Sequence, residues 1–215
     1  MRKGGESWRD EIELARAAGF AAIDVDLRVV GTIEGEEMLE ALGGMVASSG
    51  RLPVYPGQRL DPKVVEFCRR IGLKMLTCSV PPSVYERRDL VPKYREWVER
   101  LGELGMRLAI ESLTPLYLRR AKAVPYVQTS GAYCDFVEAL GGHAGFLFDS
   151  WHWHHGGYLS PRGLAMWHVR LTDAGRWQRR RVGERLFPGE GVILKTAVRT
   201  AKCGGFVGGA GALPR

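Results

Sequence analysis

Apolar and polar residues follow one another along the chain in a recurring pattern of helix, glycine and short apolar strand. Residues 8–18 carry apolar side chains at helical spacing, Gly19 follows, and an apolar run at residues 21–27 comes next. The other predicted helices span residues 34–46, 62–70, 85–104, 130–140 and 192–203. The other predicted strands span residues 51–55, 73–80, 107–112, 145–150, 167–172 and 205–207.

This alternation predicts parallel strands joined by right-handed crossovers, in either an open doubly wound sheet or a closed barrel. The G-x-G-x-x-G fingerprint of dinucleotide-binding sheets is absent after the first strand, where residues 24–28 read Asp-Val-Asp-Leu-Arg. A (β/α)8 TIM barrel is therefore favoured, incomplete because its first strand and the end of its last strand and helix are missing. We expect a single domain over residues 1–215, and the unpaired strand edges favour a homo-oligomer.

The composition agrees with one globular domain. The 215 residues are 45% hydrophobic and 26% charged, which excludes a disordered or collagen-like chain. The chain has no run of about 18 uncharged apolar residues and no signal peptide, so a cytoplasmic protein without a membrane partner is expected. The four cysteines lack C-x-x-C spacing, which favours free buried thiols over a zinc knuckle or a disulfide framework.

The excess of positive charge is concentrated in one segment. Residues 176–185 hold five arginines and one glutamate, a net +4 out of the formal +7 of the chain. Nucleic-acid-binding proteins usually spread basic residues over a face and interleave aromatic ones, so nucleic acid is not an expected partner. The segment is either a solvated loop or a clamp for an anionic group of a substrate, whose geometry arginine matches.

Polar residues lie at the ends of three predicted strands, where the active sites of parallel barrels are found. Glu111 and Asp149 each follow three apolar residues, and the strand at 167–172 holds His168. His152 follows Asp149 by three positions. Carboxylates and imidazoles that converge at one barrel mouth suit a divalent metal ion such as Mn²⁺, Mg²⁺, Co²⁺ or Zn²⁺.

Each of these residues also has a purely structural explanation. Glu111 could cap the next helix or pair with an arginine, and His168 could be a core histidine with satisfied hydrogen bonds. Asp149 is costly to bury unless it is paired or binds a metal, which favours a functional role. Trp151 and Trp153 either pack in the core or form the apolar wall against which a sugar ring lies. Two glycines shortly after Trp153 predict that a loop begins there.

Four segments, at residues 108–112, 145–154, 167–174 and 188–193, are similar to the xylose-isomerase-like TIM-barrel superfamily, the sugar phosphate isomerases and epimerases. The most specific parts are the Asp-Ser-Trp-His-Trp-His run from residue 149 and the Pro-Gly-Glu-Gly loop from residue 188. The resemblance covers nearly the whole chain. It implies an α/β barrel that acts on a small sugar with one divalent metal ion.

The resemblance also implies roles for individual residues. The metal of the epimerases is held by a Glu, an Asp, a His and a final Glu, and the first three match Glu111, Asp149 and His168. His152 resembles the residue that hydrogen-bonds the substrate, and it is assigned to catalysis together with Glu111. Four further side chains are expected to contact the substrate: Trp151, Trp153, Arg176 and Arg179.

One position departs from the family pattern. The last strand of the relatives ends in the fourth ligand, a glutamate, and Ala210 stands there in this chain. Glu111 would then lack the counterpart that handles a proton on the other face of the enediolate. We favour an isomerase or epimerase of a ketose, hydroxy-ketone or keto-inositol. A dehydratase that forms the same enolate and a degenerate barrel that only binds carbohydrate remain open. An apurinic endonuclease is disfavoured because all five histidines follow residue 142.

Overall fold

The computed structural model describes residues 7–52, 59–79, 87–111, 130–156, 166–171, 186 and 189–193. Within this part of the chain, six parallel strands pair in sequence order to form a curled half-barrel with helices between them. The strands are β1 (Ala22–Asp26), β2 (Val46–Arg51), β3 (Met75–Ser79), β4 (Arg107–Glu111), β5 (Ala144–Asp149) and β6 (Met166–Arg170). The helices are α1 (Trp8–Ala17), α2 (Ile33–Leu42), α3 (Pro62–Arg70), α4 (Arg87–Glu103), α5 (Ser130–Leu140) and α6 (Ser150–Gly156). This confirms the predicted incomplete (β/α)8 barrel.

Local sequence signals start the helices where the structure has them. The Ser7 hydroxyl accepts a hydrogen bond from the Asp10 backbone N–H, and the Asp10 carboxylate accepts one from the Ser7 backbone N–H, so α1 begins with a capping box. The Thr32 hydroxyl accepts from the Gly35 N–H at the start of α2. Asp61 caps α3, whose first residue is a proline. Helices α3 and α5 have the bounds that the sequence predicts.

The prediction is wrong around β2. The helix predicted to reach residue 46 ends early, because Gly43 adopts a left-handed φ of +43° that stops α2. Strand β2 then lies ahead of the strand predicted at 51–55 and shares only residue 51 with it. A Cβ at Gly50 would lie 2.5 Å from Leu73 Cδ2, so the Leu73 side chain packs closely against the backbone of this strand.

Helix α6 ends at Gly156, where the sequence predicts that a loop begins, but the sequence pattern does not predict a helix that starts directly after β5. The cause of this helix start is Asp149, whose Oδ1 accepts hydrogen bonds from the backbone N–H groups of Trp151 at 2.9 Å and His152 at 3.1 Å. A carboxylate in this position satisfies the donors that a helix start leaves without intrahelical partners. Helix α6 therefore begins directly at the end of the strand, and His152 lies in its first turn.

The core packs β1 to β5 against the helices around them. The ring of Tyr94 in α4 meets Phe136 of α5 edge-on at 5.4 Å, and Tyr133 of α5 meets Phe146 of β5 edge-on at 5.3 Å. These contacts fix α5 against the strand that carries Asp149. Three of the cysteines are free and buried, as predicted: Cys68, Cys78 and Cys134.

Some predicted features lie outside the described residues. They are Cys203, the strand at 205–207, residues 53–55 of the misplaced strand, and all but residues 192–193 of the predicted helix at 192–203. Among the residues that the structure describes, no helix is both long and apolar enough to cross a membrane.

Candidate active site

Two carboxylates and one imidazole meet at the carboxyl end of the sheet. Glu111 ends β4, Asp149 ends β5, and His152 follows in α6. The three residues are 6%, 3% and 5% exposed, so all are buried. One potential ligand atom from each lies within 4.8 Å of the others. Two buried acids this close need hydrogen bonds and positive charge around them, and the neighbouring strands supply both.

The Glu111 carboxylate is oriented by contacts on both of its oxygens. Its Oε2 accepts a hydrogen bond of 2.7 Å from the hydroxyl of Ser79, which lies opposite it in the parallel pairing of β3 and β4. Its Oε1 lies 3.9 Å from His152 Nε2 and 3.4 Å from Arg170 Nη1. One oxygen is thus held by the neighbouring strand, and the other faces the centre of the site.

A buried tyrosine supports the end of β4, the strand that carries Glu111. The Tyr133 hydroxyl donates a hydrogen bond to the backbone carbonyl of Ile110, the residue before Glu111. Burial raises the pKa of Tyr133 well above its usual value, and the nearby Cys78, Glu111 and Cys134 add to this effect. The phenol therefore stays protonated and remains a hydrogen-bond donor over the ordinary pH range.

Arg170 is a further residue of the site that the sequence pattern does not reveal. It ends β6 and lies opposite Asp149 in the pairing of β5 with β6. Besides Glu111, its guanidinium contacts Thr77 Oγ1 from Nη2 at 3.4 Å and Asp24 Oδ2 from Nε at 3.9 Å. The side chain is 22% exposed. Arg170 therefore crosses the inside of the half-barrel from β6 to β1.

A bulge between β1 and β2 orients the Asp24 carboxylate for its contact with Arg170. The β1–β2 register shifts between Ile23 and Asp24, and this brings two serines of β2 to one carboxylate oxygen. Ser48 and Ser49 donate hydrogen bonds of 2.8 Å and 2.6 Å to Asp24 Oδ1. The other oxygen, Oδ2, is the one that faces Arg170.

The donor set at the centre of the site fits a divalent metal ion. Two carboxylate oxygens and an imidazole nitrogen are ligands that hard and borderline divalent ions accept, including Mn²⁺, Mg²⁺, Co²⁺ and Zn²⁺. The donors come from two adjacent strand ends and the helix that follows the second strand, so the backbone fixes their spacing. Among the described residues, Glu111, Asp149 and His152 form the group that could hold the ion.

The other predicted site residues have different placements. The backbone of His168 lies in β6 opposite Leu147, below the level of Asp149, and its side chain is outside the described part of the structure. Trp151 and Trp153 are 1% and 3% exposed and belong to the core, where Trp153 packs against Phe148 at a ring distance of 5.7 Å. Three predicted positions lie outside the described residues: Arg176, Arg179 and Ala210.

Comparison with known proteins identifies the fold. No protein-family model and no curated protein matches the sequence. A xylose isomerase domain protein from Alicyclobacillus acidocaldarius is 25% identical, with a TM-score of 0.71 over 95% of this chain and 83% of that one. The 3-keto-D-glucoside 4-epimerase YcjR from E. coli is 16% identical, with a TM-score of 0.65 over 100% of this chain and 91% of that one. The probable 3-DHS dehydratase AsbF from Bacillus anthracis is 12% identical, with a TM-score of 0.69 over 92% of this chain and 84% of that one.

These similarities confirm the resemblance that the sequence motifs predict. The chain has the fold of the xylose isomerase-like TIM-barrel superfamily, which includes sugar epimerases and a dehydratase. The buried Glu111, Asp149 and His152 lie at the carboxyl end of the strands, where barrels of this kind carry their active sites.

Proposed function

We propose that the protein is a divalent-metal-dependent isomerase or epimerase of a small sugar or keto-sugar: a ketose, a hydroxy-ketone or a keto-inositol. The observation that carries this proposal is the buried pair Glu111 and Asp149, with a His152 ring nitrogen within 4.8 Å of an oxygen of each. The presence of a sugar epimerase among proteins of the same fold supports this reaction class.

The metal site in this proposal uses residues from adjacent strands. Glu111 and Asp149 hold the ion, and His168 is the predicted third protein ligand. When bound, the ion polarises the substrate carbonyl and the adjacent hydroxyl, which makes the C–H between them more acidic. His152 donates a hydrogen bond to the substrate, and Arg176 and Arg179 remain expected substrate contacts.

Glu111 is the base of the proposed reaction. Its carboxylate takes the proton from the carbon beside the carbonyl, the C–H electron pair forms the C=C bond of the enediolate, and the carbonyl oxygen takes the negative charge. Return of the proton to the former carbonyl carbon, with transfer of the remaining hydroxyl proton to the other oxygen, gives the isomer, and its return to the opposite face of the original carbon gives the epimer. Ser79 donates a hydrogen bond to Oε2 of Glu111 and thereby fixes the orientation of this carboxylate.

Exchange of the α-proton with solvent tests the proposal. Protein loaded with Mn²⁺ and incubated in D₂O with fructose or tagatose should incorporate deuterium beside the carbonyl, which proton NMR detects. Glu111→Gln should abolish the exchange. Glu103→Gln is the matched control, because Glu103 pairs with Arg100 on the surface. Equal exchange by the native protein and Glu111→Gln would contradict the role of Glu111, and an unsaturated product would indicate a dehydratase.

A barrel that binds carbohydrate without catalysis is the second candidate function. The observation that favours it is the ion pair between Arg170 and Glu111, since a cation already lies beside the carboxylate. Metal stoichiometry separates the two candidates. An enzyme site should retain one Mn²⁺ per chain after dialysis against micromolar Mn²⁺, whereas a degenerate site should retain none.

A further inference from the structure

We propose that Arg170 is a tethered cation that competes with the divalent metal for Glu111 and moves to Asp24 when the metal binds. The affinity of the site for metal then depends on how strongly Arg170 pairs with Glu111 compared with Asp24. The inference rests on the metal-binding part of the proposed function and adds a residue that controls it.

The competition follows from a shared oxygen atom. Glu111 Oε1 faces both His152 Nε2 at 3.9 Å and Arg170 Nη1 at 3.4 Å, while Oε2 is hydrogen-bonded to Ser79. A metal ion held by Glu111 and Asp149 would therefore lie beside the guanidinium. Two positive charges at this separation in a partly buried site repel each other strongly.

Arg170 is held loosely enough to move. Its contacts to Glu111 and Thr77 are 3.4 Å long and its contact to Asp24 is 3.9 Å, all at the long end of the range for hydrogen bonds and ion pairs. No bidentate pairing with a carboxylate, the strongest arrangement for arginine, is present among these contacts. A small shift toward Asp24 would shorten one ion pair while the other lengthens.

Asp24 is built to accept the guanidinium. The bulge between β1 and β2 lets Ser48 and Ser49 hold Oδ1, which fixes the carboxylate with Oδ2 toward Arg170. The side chain of Asp24 is 36% exposed and that of Glu111 is 7% exposed. Transfer to Asp24 therefore moves the arginine from a buried partner to a more solvated one, without leaving it unpaired.

Among the described residues, the charges of three carboxylates and Arg170 would balance that of a divalent ion. Asp24, Glu111 and Asp149 contribute three negative charges when ionised, and Arg170 contributes one positive charge. The remainder is −2, which one divalent ion neutralises. Glu111 and Asp149 then bind the metal ion, and Asp24 pairs with Arg170. Without the metal, Arg170 shares its charge between Asp24 and Glu111, as the structure has it.

Removal of the Arg170 charge and removal of the Asp24 charge should shift the metal affinity in opposite directions. Arg170→Met keeps the length of the side chain and removes the charge, so Mn²⁺ should bind about 10- to 100-fold more tightly. Asp24→Asn removes the second acceptor and should weaken Mn²⁺ binding by a similar factor. Arg170→Lys keeps the charge and should stay near the native affinity. The double variant Arg170→Met with Asp24→Asn should match Arg170→Met, because no cation remains to be relocated.

Calorimetric titration with MnCl₂ alone measures these affinities, and the electron spin resonance of free Mn²⁺ gives an independent count. Thermal melting without metal checks that each variant folds, with Arg170→Met melting lower than the native protein and recovering when Mn²⁺ is added. Unchanged or weaker binding by Arg170→Met, or unchanged binding by Asp24→Asn, would overturn the inference.

The outcomes also separate this inference from the proposed function. If the native protein binds Mn²⁺ and Arg170→Met binds it equally well, the tethered-cation role is wrong and the metal enzyme stands. If only Arg170→Met binds Mn²⁺, the competition is supported and the native chain is not a metal enzyme. If neither binds Mn²⁺ at millimolar concentration, both ideas are contradicted.

Discussion

Ser79 lies directly opposite Glu111 in the pairing of β3 with β4, and its hydroxyl donates a 2.7 Å hydrogen bond to Glu111 Oε2. The orientation of the central carboxylate is therefore set by the neighbouring strand. A charge-assisted hydrogen bond to a buried acid is among the stronger side-chain contacts in proteins.

Ser79→Ala should lower both stability and metal affinity. Loss of a hydrogen bond to a buried charged group costs about 1.5–3 kcal/mol of the free energy of unfolding. Loss of the group that orients a ligand weakens metal binding by about 10- to 100-fold. Urea denaturation and Mn²⁺ titration measure the two effects. Ser79→Thr keeps the hydroxyl and serves as the control, and equal behaviour of the two variants would contradict this role.

Asp149→Asn should remove metal binding without unfolding the protein. Asparagine caps helices as well as aspartate does, so α6 keeps the acceptor for the Trp151 and His152 N–H groups and stability should change by less than about 1 kcal/mol. The negative charge at the ligand position is lost. His155→Ala is the matched control, because His155 packs against Trp151 at a ring distance of 4.4 Å.

The measurement is calorimetric titration of both variants with Mn²⁺. Asp149→Asn should show no binding at micromolar Mn²⁺, and His155→Ala should bind like the native protein. Equal loss in both variants would mean that disturbed packing of α6, rather than the missing carboxylate, removes the metal.

The strand β2 illustrates why sequence pattern places some elements and misses others. Its residues read Val-Ala-Ser-Ser-Gly-Arg, with few of the β-branched and aromatic residues that mark strands. The hydroxyls of Ser48 and Ser49 donate hydrogen bonds to Asp24 on β1. Gly50 has no Cβ, so the Leu73 side chain can pack close to its backbone. These reasons come from distant parts of the chain. Helix α3, whose Asp61 cap and following proline are local signals, has the predicted bounds.

The sequence pattern likewise predicts some residues of the site and misses others. Glu111 and Asp149 are recognisable because each ends an apolar run, and the half-barrel brings both strand ends together. Arg170 lies two residues after His168 in the same strand, and the sequence pattern assigns a site role to the histidine but not to the arginine. A charged residue in an apolar strand is costly unless it has partners, and this was the available signal. Its partners Asp24 and Thr77 lie on β1 and β3, and only the curl of the sheet reveals them.

The buried thiol of Cys68 should make stability depend on pH in the alkaline range. Burial raises the pKa of Cys68 to about 12, whereas an unfolded chain releases this proton near pH 9. Its contribution to stability is fully present below about pH 9 and is lost as the pH rises toward 12, with a slope of about 1.4 kcal/mol per pH unit.

Urea denaturation under reducing conditions at pH 8, 9, 10 and 11 tests this. Cys68→Ala loses some packing at every pH, but its free energy of unfolding should fall less steeply above about pH 9 than that of the native protein. Parallel curves for the two proteins would show that another group controls alkaline stability. Cys78, whose pKa is also raised by burial and by the charge of Glu111, is the first residue to substitute next.

Proton exchange and epimer formation should separate in this chain. The family resemblance predicts that Ala210 stands where relatives have a second acidic residue, so Glu111 handles the proton on one face only. Loss of one general acid or base lowers a rate by about 10² to 10⁴. Epimerisation needs both faces and should lose this factor, whereas α-proton exchange needs Glu111 alone.

With Mn²⁺ and tagatose in D₂O, deuterium should therefore enter the substrate much faster than the epimer appears, and Ala210→Glu should raise the epimer rate while leaving exchange similar. Rapid epimerisation by the native protein would show that another acid supplies the second proton. Glu190, which is exposed in the Gly189–Gly191 turn, would be the residue to test.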